Sequence, residues 1–363
     1  MSGTSQMSFS ANDKISTMID MEARRVGSYT ELEKKIAEAN SHRPKKKTIN
    51  HQKLRGIGDP AKNNSIYFDE LEILDTYFRM HGISLAKELF QPPTLIEALG
   101  NSGPVTFLIP SRNREYEMRV DMSEWDVKAL AEFTYSIGQS GTRQPKINIQ
   151  EVPFRPEVFE KGDLDFKQEE WFRLLDEDYG SIVSISSPRA SHSSELMLAK
   201  MFELEPMTTG VDLAELPFAF VWPSEKAFRS SFSVSIERLE QEQKYRQQLS
   251  SVRDDSYLLV ANGRIYESQR TGQGLRHEYG VLVAQFQQNG LLVCTAGCTG
   301  SAGLGVVQAA RELIVSTRER RSGQRFEPIW AVVEVEIQPT RNAADPREVV
   351  GHRILPRLGF DEA

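Results

Sequence analysis

The chain has 363 residues, a formal net charge of −7 at pH 7 and 39% hydrophobic residues, a composition typical of a folded globular protein. The negative net charge excludes a protein that coats nucleic acid over its whole surface. Two cysteines are too few for a disulfide framework, and the sequence lacks the apolar run of about 20 residues that a membrane helix needs. The first 20 residues do not have the pattern of a signal peptide, so we expect a cytoplasmic protein without a membrane partner.

The first part of the chain predicts short helices. We expect a flexible N-terminus over residues 1–27 and an all-helical module over residues 28–100. Ser28 and Glu31 have the spacing of a capping box at the start of one helix. A later helix is predicted around Leu71, whose apolar neighbours recur at helical spacing.

A cationic segment lies inside this module. Residues 39–58 contain no carboxylate, which makes them a local positive surface on an acidic chain. Its basic side chains are candidates for phosphate contacts, and its amides are candidates for contacts to base edges. The alternative is a solvated loop. The candidate nucleic-acid-binding residues are Arg43, Lys45, Lys46, Lys47, Asn50, Gln52, Lys53 and Arg55.

Three stretches of the module, ELEKKI, INHQKLRGI and FDELEILDTYF followed by GISLAKELF, occur in this order within residues 28–90. Their arrangement resembles the helix-turn-helix domains of phage-repressor-type regulators. The resemblance implies a scaffold helix, a recognition helix and packing helices, with DNA as the partner. The chain departs from that pattern in SHRPKKKT, which is longer than the usual turn of about three to four residues.

From Gly103 onward, strand-like and helical patterns alternate. This alternation predicts an α/β fold: a Rossmann-like, mixed but mostly parallel sheet with helices on both faces over residues 101–338. The sequence QQNG predicts a hairpin between strands at 279–286 and 291–295. Residues 225–250 are expected to form a helical excursion from this sheet. Residues 339–363 are expected to form a C-terminal tail on the surface.

Two strand–loop–helix units carry the main functional signal. Residues 181–202 read SIVSIS, SPRASHSS and ELMLAKMF, and residues 291–315 read LLVCTAGCTGSAGLGVVQAARELIV. Such loops bring backbone N–H groups and a helix N-terminus to one point, which favours an anion. The glycine spacing is not G-x-G-x-x-G and no G-K-[ST] occurs, which argues against a standard dinucleotide site and a P-loop.

We therefore expect the two loops to form one cleft for a nucleotide or another phosphorylated small molecule. The alternatives are a serine-rich helix cap in the first unit and a flexible packing turn in the second. His277, Glu278 and Tyr279, which follow the loop TGQGLR, are predicted to lie near the same site. The candidate ligand-binding residues are Ser186, Ser187, Arg189, Ser191, Ser193, Ser194, Gly297, Thr299, Gly300, Ser301, Gly303 and Gly305.

Glu195 is the candidate catalytic residue, because it lies in the first turn of the helix that follows the serine-rich loop. The stretch SSELMLAKMF loosely resembles the nucleoside deoxyribosyltransferase-like fold, in which a nucleophilic glutamate opens a helix with a small residue four positions on, here Ala199. The resemblance implies attack on a sugar anomeric carbon. The alternative is a glutamate that compensates the helix dipole. No His or Cys cluster accompanies Cys294 and Cys298, so we expect no metal.

These observations predict a ligand-responsive DNA-binding regulator that forms a homo-oligomer. Binding of the ligand would change the position or the oligomeric state of the N-terminal module. The alternative is a nucleotide-processing N-glycosidase or transferase, an effector of a bacterial defence system that uses the module for docking or autoinhibition. A third alternative is an assembly protein whose α/β domain is only a scaffold.

Overall fold

The chain divides into two compact units, Met1–Pro92 and Pro93–Ala363. A computed structural model describes residues 8–10, 13–41, 49–59, 65–81, 83, 93–114, 119–140, 145–155, 169–176, 180–222, 230–253, 256–268, 274–287, 289–315, 326–339 and 347–355. Among the helices in these ranges, none is both long and apolar enough to span a membrane.

The first unit consists of helices around one apolar core, with a short antiparallel strand pair. Its elements are β1 (Ser8–Ser10), α1 (Asp13–Val26), α2 (Tyr29–Ala39), α3 (His51–Ile57), β2 (Ser65–Tyr67) and α4 (Phe68–Arg79). Ser28 caps α2 as the sequence predicts, since its side chain accepts a hydrogen bond from the Glu31 N–H at 3.1 Å. Leu32, Leu54 and Leu74 are buried together in the core.

The structure differs from the sequence-based expectations for this unit in three respects. Residues 13–26 are helical rather than flexible, because Ile15 and Ile19 bury an apolar face of α1 in the core. The unit is also not all-helical, since β1 pairs with β2. Its boundary lies at Pro92 rather than at residue 100.

The second unit is a mixed α/β structure. In chain order its elements are α5 (Leu95–Asn101), β3 (Val105–Arg114), β4 (Arg119–Met122), α6 (Glu124–Ser140), β5 (Ile147–Phe154), α7 (Glu170–Asp176), β6 (Ser181–Ile185), α8 (His192–Phe202), β7 (Phe218–Trp222), β8 (Ser233–Ser235), α9 (Ile236–Gln241), α10 (Gln243–Leu249), β9 (Tyr257–Ala261), β10 (Arg264–Ser268), β11 (Arg276–Phe286), β12 (Leu291–Gly297), α11 (Gly300–Ala309), β13 (Ile329–Pro339) and β14 (Arg347–Ile354).

The main sheet has the strand order β14-β13-β11-β12-β6-β3-β4, with β5 paired to β3. The predicted hairpin is confirmed as β11–β12. The expectation of a mixed sheet is confirmed, but that of a mostly parallel one is wrong. Among the described strands, β5, β3, β6 and β12 pair in parallel, while β11, β13, β14 and β4 join them by antiparallel pairing. The predicted C-terminal tail is in part strand β14, at the edge of this sheet.

The strands at the centre of the sheet are buried on both faces. Val183 and Val293 face a core shared with α6 and α11, whereas Ile182 and Leu292 face a core shared with α8. This double burial explains why β6 and β12 read as continuous apolar runs rather than alternating ones.

A second, four-stranded sheet has the order β10-β9-β7-β8. The part of residues 225–250 that the structure describes, from residue 230, is not simply a helical excursion. It contains β8, and Leu239 of α9 and Tyr245 of α10 are buried against this sheet. Strands β9 and β10 are joined by Asn262 and Gly263 with φ of 51° and 72°, a turn whose left-handed backbone suits these two residue types.

Candidate functional site

The loops that follow β6 and β12 diverge from one edge of the main sheet. The two strands are parallel neighbours, with Ile185 paired to Thr295, so both end at the same edge. The chain then turns to α8 on one face and to α11 on the other. Divergence of this kind opens a crevice at the carboxyl ends of the strands, which is where open α/β sheets bind ligands.

A cleft of about 470 Å³ occupies this position, and we call it the β6/β12 cleft. It brings together the two loops that the sequence analysis singled out. Helix α6 and the strands β5 and β9 complete its walls. The residues that line it are Ser123, Trp125, Asp126, Ala129, Phe154, Ile185, Ser186, Ser187, Arg189, Ala190, Tyr257, Gly297, Cys298, Thr299, Gly300 and Gly303.

Ser186, at the end of β6, has an unusual backbone conformation. Its φ is 103°, in the region that favours glycine. Two hydrogen bonds hold it there: its N–H donates to the Thr295 carbonyl at 3.0 Å, and its carbonyl accepts from the Ser194 hydroxyl at 2.8 Å. Such a conformation costs about 1–3 kcal/mol and is found most often at functional sites.

Ser191, Ser193 and Ser194 are not part of the cleft lining, contrary to their assignment as ligand-binding residues. All three are fully buried. The Ser193 hydroxyl lies 2.8 Å from the hydroxyls of Ser191 and Ser184, and the Ser194 hydroxyl lies 2.9 Å from that of Ser184. These hydroxyls join the first turn of α8 to β6, because that helix packs its N-terminal end directly onto the strand.

The glycines of the second loop have different roles. Gly297, Gly300 and Gly303 line the cleft, and we call this surface the glycine face. A side chain at Gly300 would clash with Trp125, since its Cβ would lie 2.6 Å from the indole Cγ, whereas a Cβ at Gly303 would meet no atom within 4 Å. Gly303 therefore borders open space.

Gly305 and Ser301, which the sequence also assigns to the ligand, are not part of the cleft lining. Gly305 faces β13, where a Cβ would overlap the side chain of Val335. Ser301 is fully buried, and its hydroxyl donates to Glu278 at 2.6 Å. Gly305 is thus a packing position, and Ser301 belongs to a buried polar group beneath the helix.

That buried polar group centres on the Glu278 carboxylate. Glu278 is 1% exposed and accepts hydrogen bonds from the hydroxyls of Thr299 and Ser301. Thr299 is also the N-cap of α11, since its Oγ1 accepts from the Ala302 N–H at 3.1 Å. Arg347 donates to the Ser301 hydroxyl at 3.5 Å. A negative charge therefore already lies at the N-terminus of α11, where it is favoured by the helix dipole.

The loop that follows β6 brings a cation to the cleft. The guanidinium of Arg189 lies 5.2 Å from the centre of the Tyr257 ring, which is a cation–π arrangement. Cys298 lies in the cleft lining as well, but burial raises the pKa of its thiol to about 12. A thiol that stays protonated is a poor nucleophile. Among the described residues, no group of three His, Cys, Asp or Glu side chains is arranged to hold a metal ion.

Glu195 is not part of the cleft lining and is fully buried. Its Oε1 accepts from the Met207 and Ser231 N–H groups at 2.9 and 2.8 Å, and its Oε2 accepts from the Ser230 hydroxyl at 2.6 Å. Burial raises its pKa, and these hydrogen bonds oppose that shift. Glu195 therefore fixes two loops against α8. From this position its carboxylate does not reach the cleft, where a substrate would bind.

In the first unit, Arg43, Lys45, Lys46 and Lys47 lie outside the described residues. The Asn50 side chain accepts from the Lys53 N–H at 2.9 Å and so caps α3, and the Lys53 ammonium lies 3.5 Å from Glu70. Asn50 and Lys53 therefore have partners within the unit. Gln52 and Arg55 are exposed and lie three residues apart on α3, which puts them on one face.

The aromatic side chains that line the cleft were not predicted from the sequence. Phe154 ends β5, a strand parallel to β3, so its position at this edge follows from strand direction once the pairing is known. Trp125 lies in the first turn of α6, and Tyr257 begins β9 in the second sheet. Only their contacts across the fold bring them to the cleft. No family model matches the chain, and no curated protein or solved structure matches it.

Proposed function

We propose that the chain is a ligand-responsive DNA-binding regulator whose second unit senses a nucleotide or another phosphorylated small molecule. The observation that carries this proposal is the β6/β12 cleft, which lies where two parallel strands send their connections to opposite faces of the sheet. Its volume of about 470 Å³ is in the usual range for small-molecule sites.

The chemistry of the cleft supports an anionic ligand with apolar surface. Arg189 supplies a charge-assisted hydrogen-bond donor for phosphate or carboxylate, and the hydroxyls of Ser186 and Ser187 supply neutral ones. Trp125 and Tyr257 supply aromatic area. The lining mixes polar residues with aromatic ones, and polar groups placed among aromatic side chains can orient a small ligand.

The first unit supports the DNA-binding half of the proposal. Gln52 and Arg55 are presented to solvent on one face of α3, the helix that corresponds to the recognition helix in the resemblance to repressor-type domains. The lysines at 45–47 precede this helix in the sequence and add positive charge. A regulator of this kind binds phosphates through the basic side chains and reads base edges from the helix.

The test measures DNA binding by the full chain, with fluorescence anisotropy as the readout, at several salt concentrations. Replacing Lys45, Lys46 and Lys47 by Ala reduces the slope of log K against log[salt] by about 2 to 3, since each lost phosphate contact removes about 0.9. Lys34→Ala with Lys35→Ala serves as the control and leaves the slope unchanged. An unchanged slope in the triple variant, or no DNA binding by the wild type, contradicts the DNA-binding function.

The ligand response is tested in the same assay. Adding the small-molecule fraction of a cell extract changes the DNA affinity of the wild type, and Arg189→Gln abolishes that change because the cleft loses its cation. A response that persists in Arg189→Gln, or no response in the wild type, contradicts the sensing function.

A further inference from the structure

At the glycine face of the cleft, a carboxylate already engages the two hydroxyls that a phosphate at the start of α11 would use. Glu278 lies beneath this face, and the hydroxyls of Thr299 and Ser301 donate to that carboxylate rather than toward the cleft. Asp126 adds a second carboxylate on α6, next to Trp125, which contacts Gly300. A phosphate brought close to these carboxylates is repelled by their like charge.

The wall formed by the β6–α8 loop has the opposite character. Arg189 lies there over the Tyr257 ring, and the strained Ser186 and its neighbour Ser187 line the same wall. Among the described residues that line the cleft, no carboxylate belongs to this loop. An anionic group is therefore favoured on this side.

The glycine face suits a flat, uncharged group instead. Gly303 borders open space, so the backbone of α11 is exposed to the cleft without a side chain. Trp125 borders this surface, and the cations of Lys128 and Arg347 lie over its ring at 4.5 and 5.0 Å without lining the cleft. Lys128 is paired with Glu124 at 2.9 Å. Close approach of a planar ring to a glycine backbone is a recurring use of glycine at ligand sites.

We infer that the β6/β12 cleft binds a nucleoside monophosphate with its phosphate against Arg189 and Ser186 and its base against the glycine face. This inference rests on the proposed function and names its ligand class. It reverses the orientation expected from the glycine-rich sequence, in which the phosphate lies at the start of α11. The reversal follows from Glu278, whose charge already compensates that helix end.

The experiment is calorimetric titration of the full chain with the four ribonucleoside monophosphates, the matching nucleosides and inorganic pyrophosphate. At least one monophosphate binds the wild type at least ten-fold more tightly than its nucleoside and than pyrophosphate. Arg189→Gln weakens that monophosphate at least ten-fold and leaves the nucleoside unchanged, because it removes only the anion contact. Gly303→Leu weakens both at least ten-fold, because the new side chain fills the place of the base.

Glu278→Gln separates the two orientations. If the base lies at the glycine face, this change alters the affinity for the monophosphate less than three-fold, as does the control Glu312→Gln at an exposed carboxylate. A ten-fold gain in monophosphate and pyrophosphate affinity in Glu278→Gln overturns the inference, because it puts the phosphate at α11. Arg189→Gln and Gly303→Leu, which do not touch the buried polar group, decide the question if Glu278→Gln does not fold.

Binding of no monophosphate also overturns the inference. The DNA assay then separates this failure from that of the proposed function. If a cell extract changes the DNA affinity of the wild type but not of Arg189→Gln, the sensing function is supported with a different ligand. If the extract has no effect, both the sensing function and the monophosphate inference are contradicted.

Discussion

The two carboxylates near the ends of β6 and β12 organise loops. Glu195 joins α8 to the chain at Met207 and at Ser230–Ser231, and Glu278 joins the two hydroxyls at the start of α11. Glu195 accepts hydrogen bonds from groups of buried residues that have no other acceptor at this site. Leaving one such donor unsatisfied costs about 1–3 kcal/mol.

Glu195→Ala is therefore expected to lower the free energy of unfolding by about 3 kcal/mol or more, since it leaves three donors without an acceptor. Glu195→Gln keeps an acceptor for the two N–H groups and costs less than about 1.5 kcal/mol. Urea unfolding followed by tryptophan fluorescence measures both, and all 4 tryptophans lie in the second unit. Equal losses in the two variants would show that the hydrogen bonds are not the cause.

His192 is expected to make the free energy of unfolding depend on pH. It is fully buried, its Nε2 accepts from the Arg155 N–H at 2.9 Å, and its ring stacks on Phe154. Burial lowers its pKa from 6.5 to about 4. The pKa in the folded state lies below the unfolded value, so this contribution to stability is present above pH 6.5 and is lost as the pH falls toward 4.

Between pH 7.5 and pH 5, we expect the wild type to lose about 2 kcal/mol more stability than His192→Gln, in which no imidazole must stay neutral. Urea unfolding at the two pH values measures the difference. His81→Gln, at an exposed histidine of the first unit, retains the wild-type pH dependence. An identical pH dependence in His192→Gln would refute the assignment.

At the scale of elements, α11 combines two kinds of glycine on one helix. Gly305 lets the helix approach β13, whereas Gly303 borders the cleft. Gly305→Ala is expected to destabilise the protein by about 1–3 kcal/mol, because its methyl group overlaps Val335 in a packed core. Gly303→Ala is expected to stabilise it by about 0.5–1 kcal/mol, because alanine restricts the unfolded chain more and meets no atom in the fold.

Thermal or urea unfolding of this matched pair distinguishes the two roles. Opposite signs for Gly305→Ala and Gly303→Ala are the expected result. Destabilisation by both would mean that Gly303 is also a packing position, and the open glycine face would then have no support.

The sequence predicts the two strand–loop–helix units because apolar runs, hydroxyl caps and glycines are local signals. It predicts neither the direction in which a cap hydroxyl points nor what lies beneath a helix end. The Ser194 hydroxyl, in the first turn of α8, bonds to Ser184 of β6 rather than lining the cleft, because α8 packs onto the strand. Glu278 reaches α11 only through the pairing of Gly280 with Gly297 in the β11–β12 hairpin, which the sequence predicts without its register.

At the scale of the whole molecule, the chain has separate cores in two units. Leu32, Leu54 and Leu74 belong to the core of the first unit, whereas Val183 and Val293 belong to a core of the second. The first unit carries the exposed residues proposed to contact DNA, and the second contains the cleft. A ligand changes DNA binding only if the ligand binds two states of the whole chain with different affinities. Because the residues proposed for sensing and for DNA binding lie in different units, we expect mutations to affect the two functions separately.

The most direct measurement is mass spectrometry of the small molecules released when the purified full chain is denatured. The wild type is compared with a variant that carries both Arg189→Gln and Gly303→Leu. We expect the wild type to release a phosphorylated compound with a planar base, and the variant to release none. Release of the same compounds from both proteins, or of none that is phosphorylated from the wild type, would contradict the claim that the β6/β12 cleft is a ligand site.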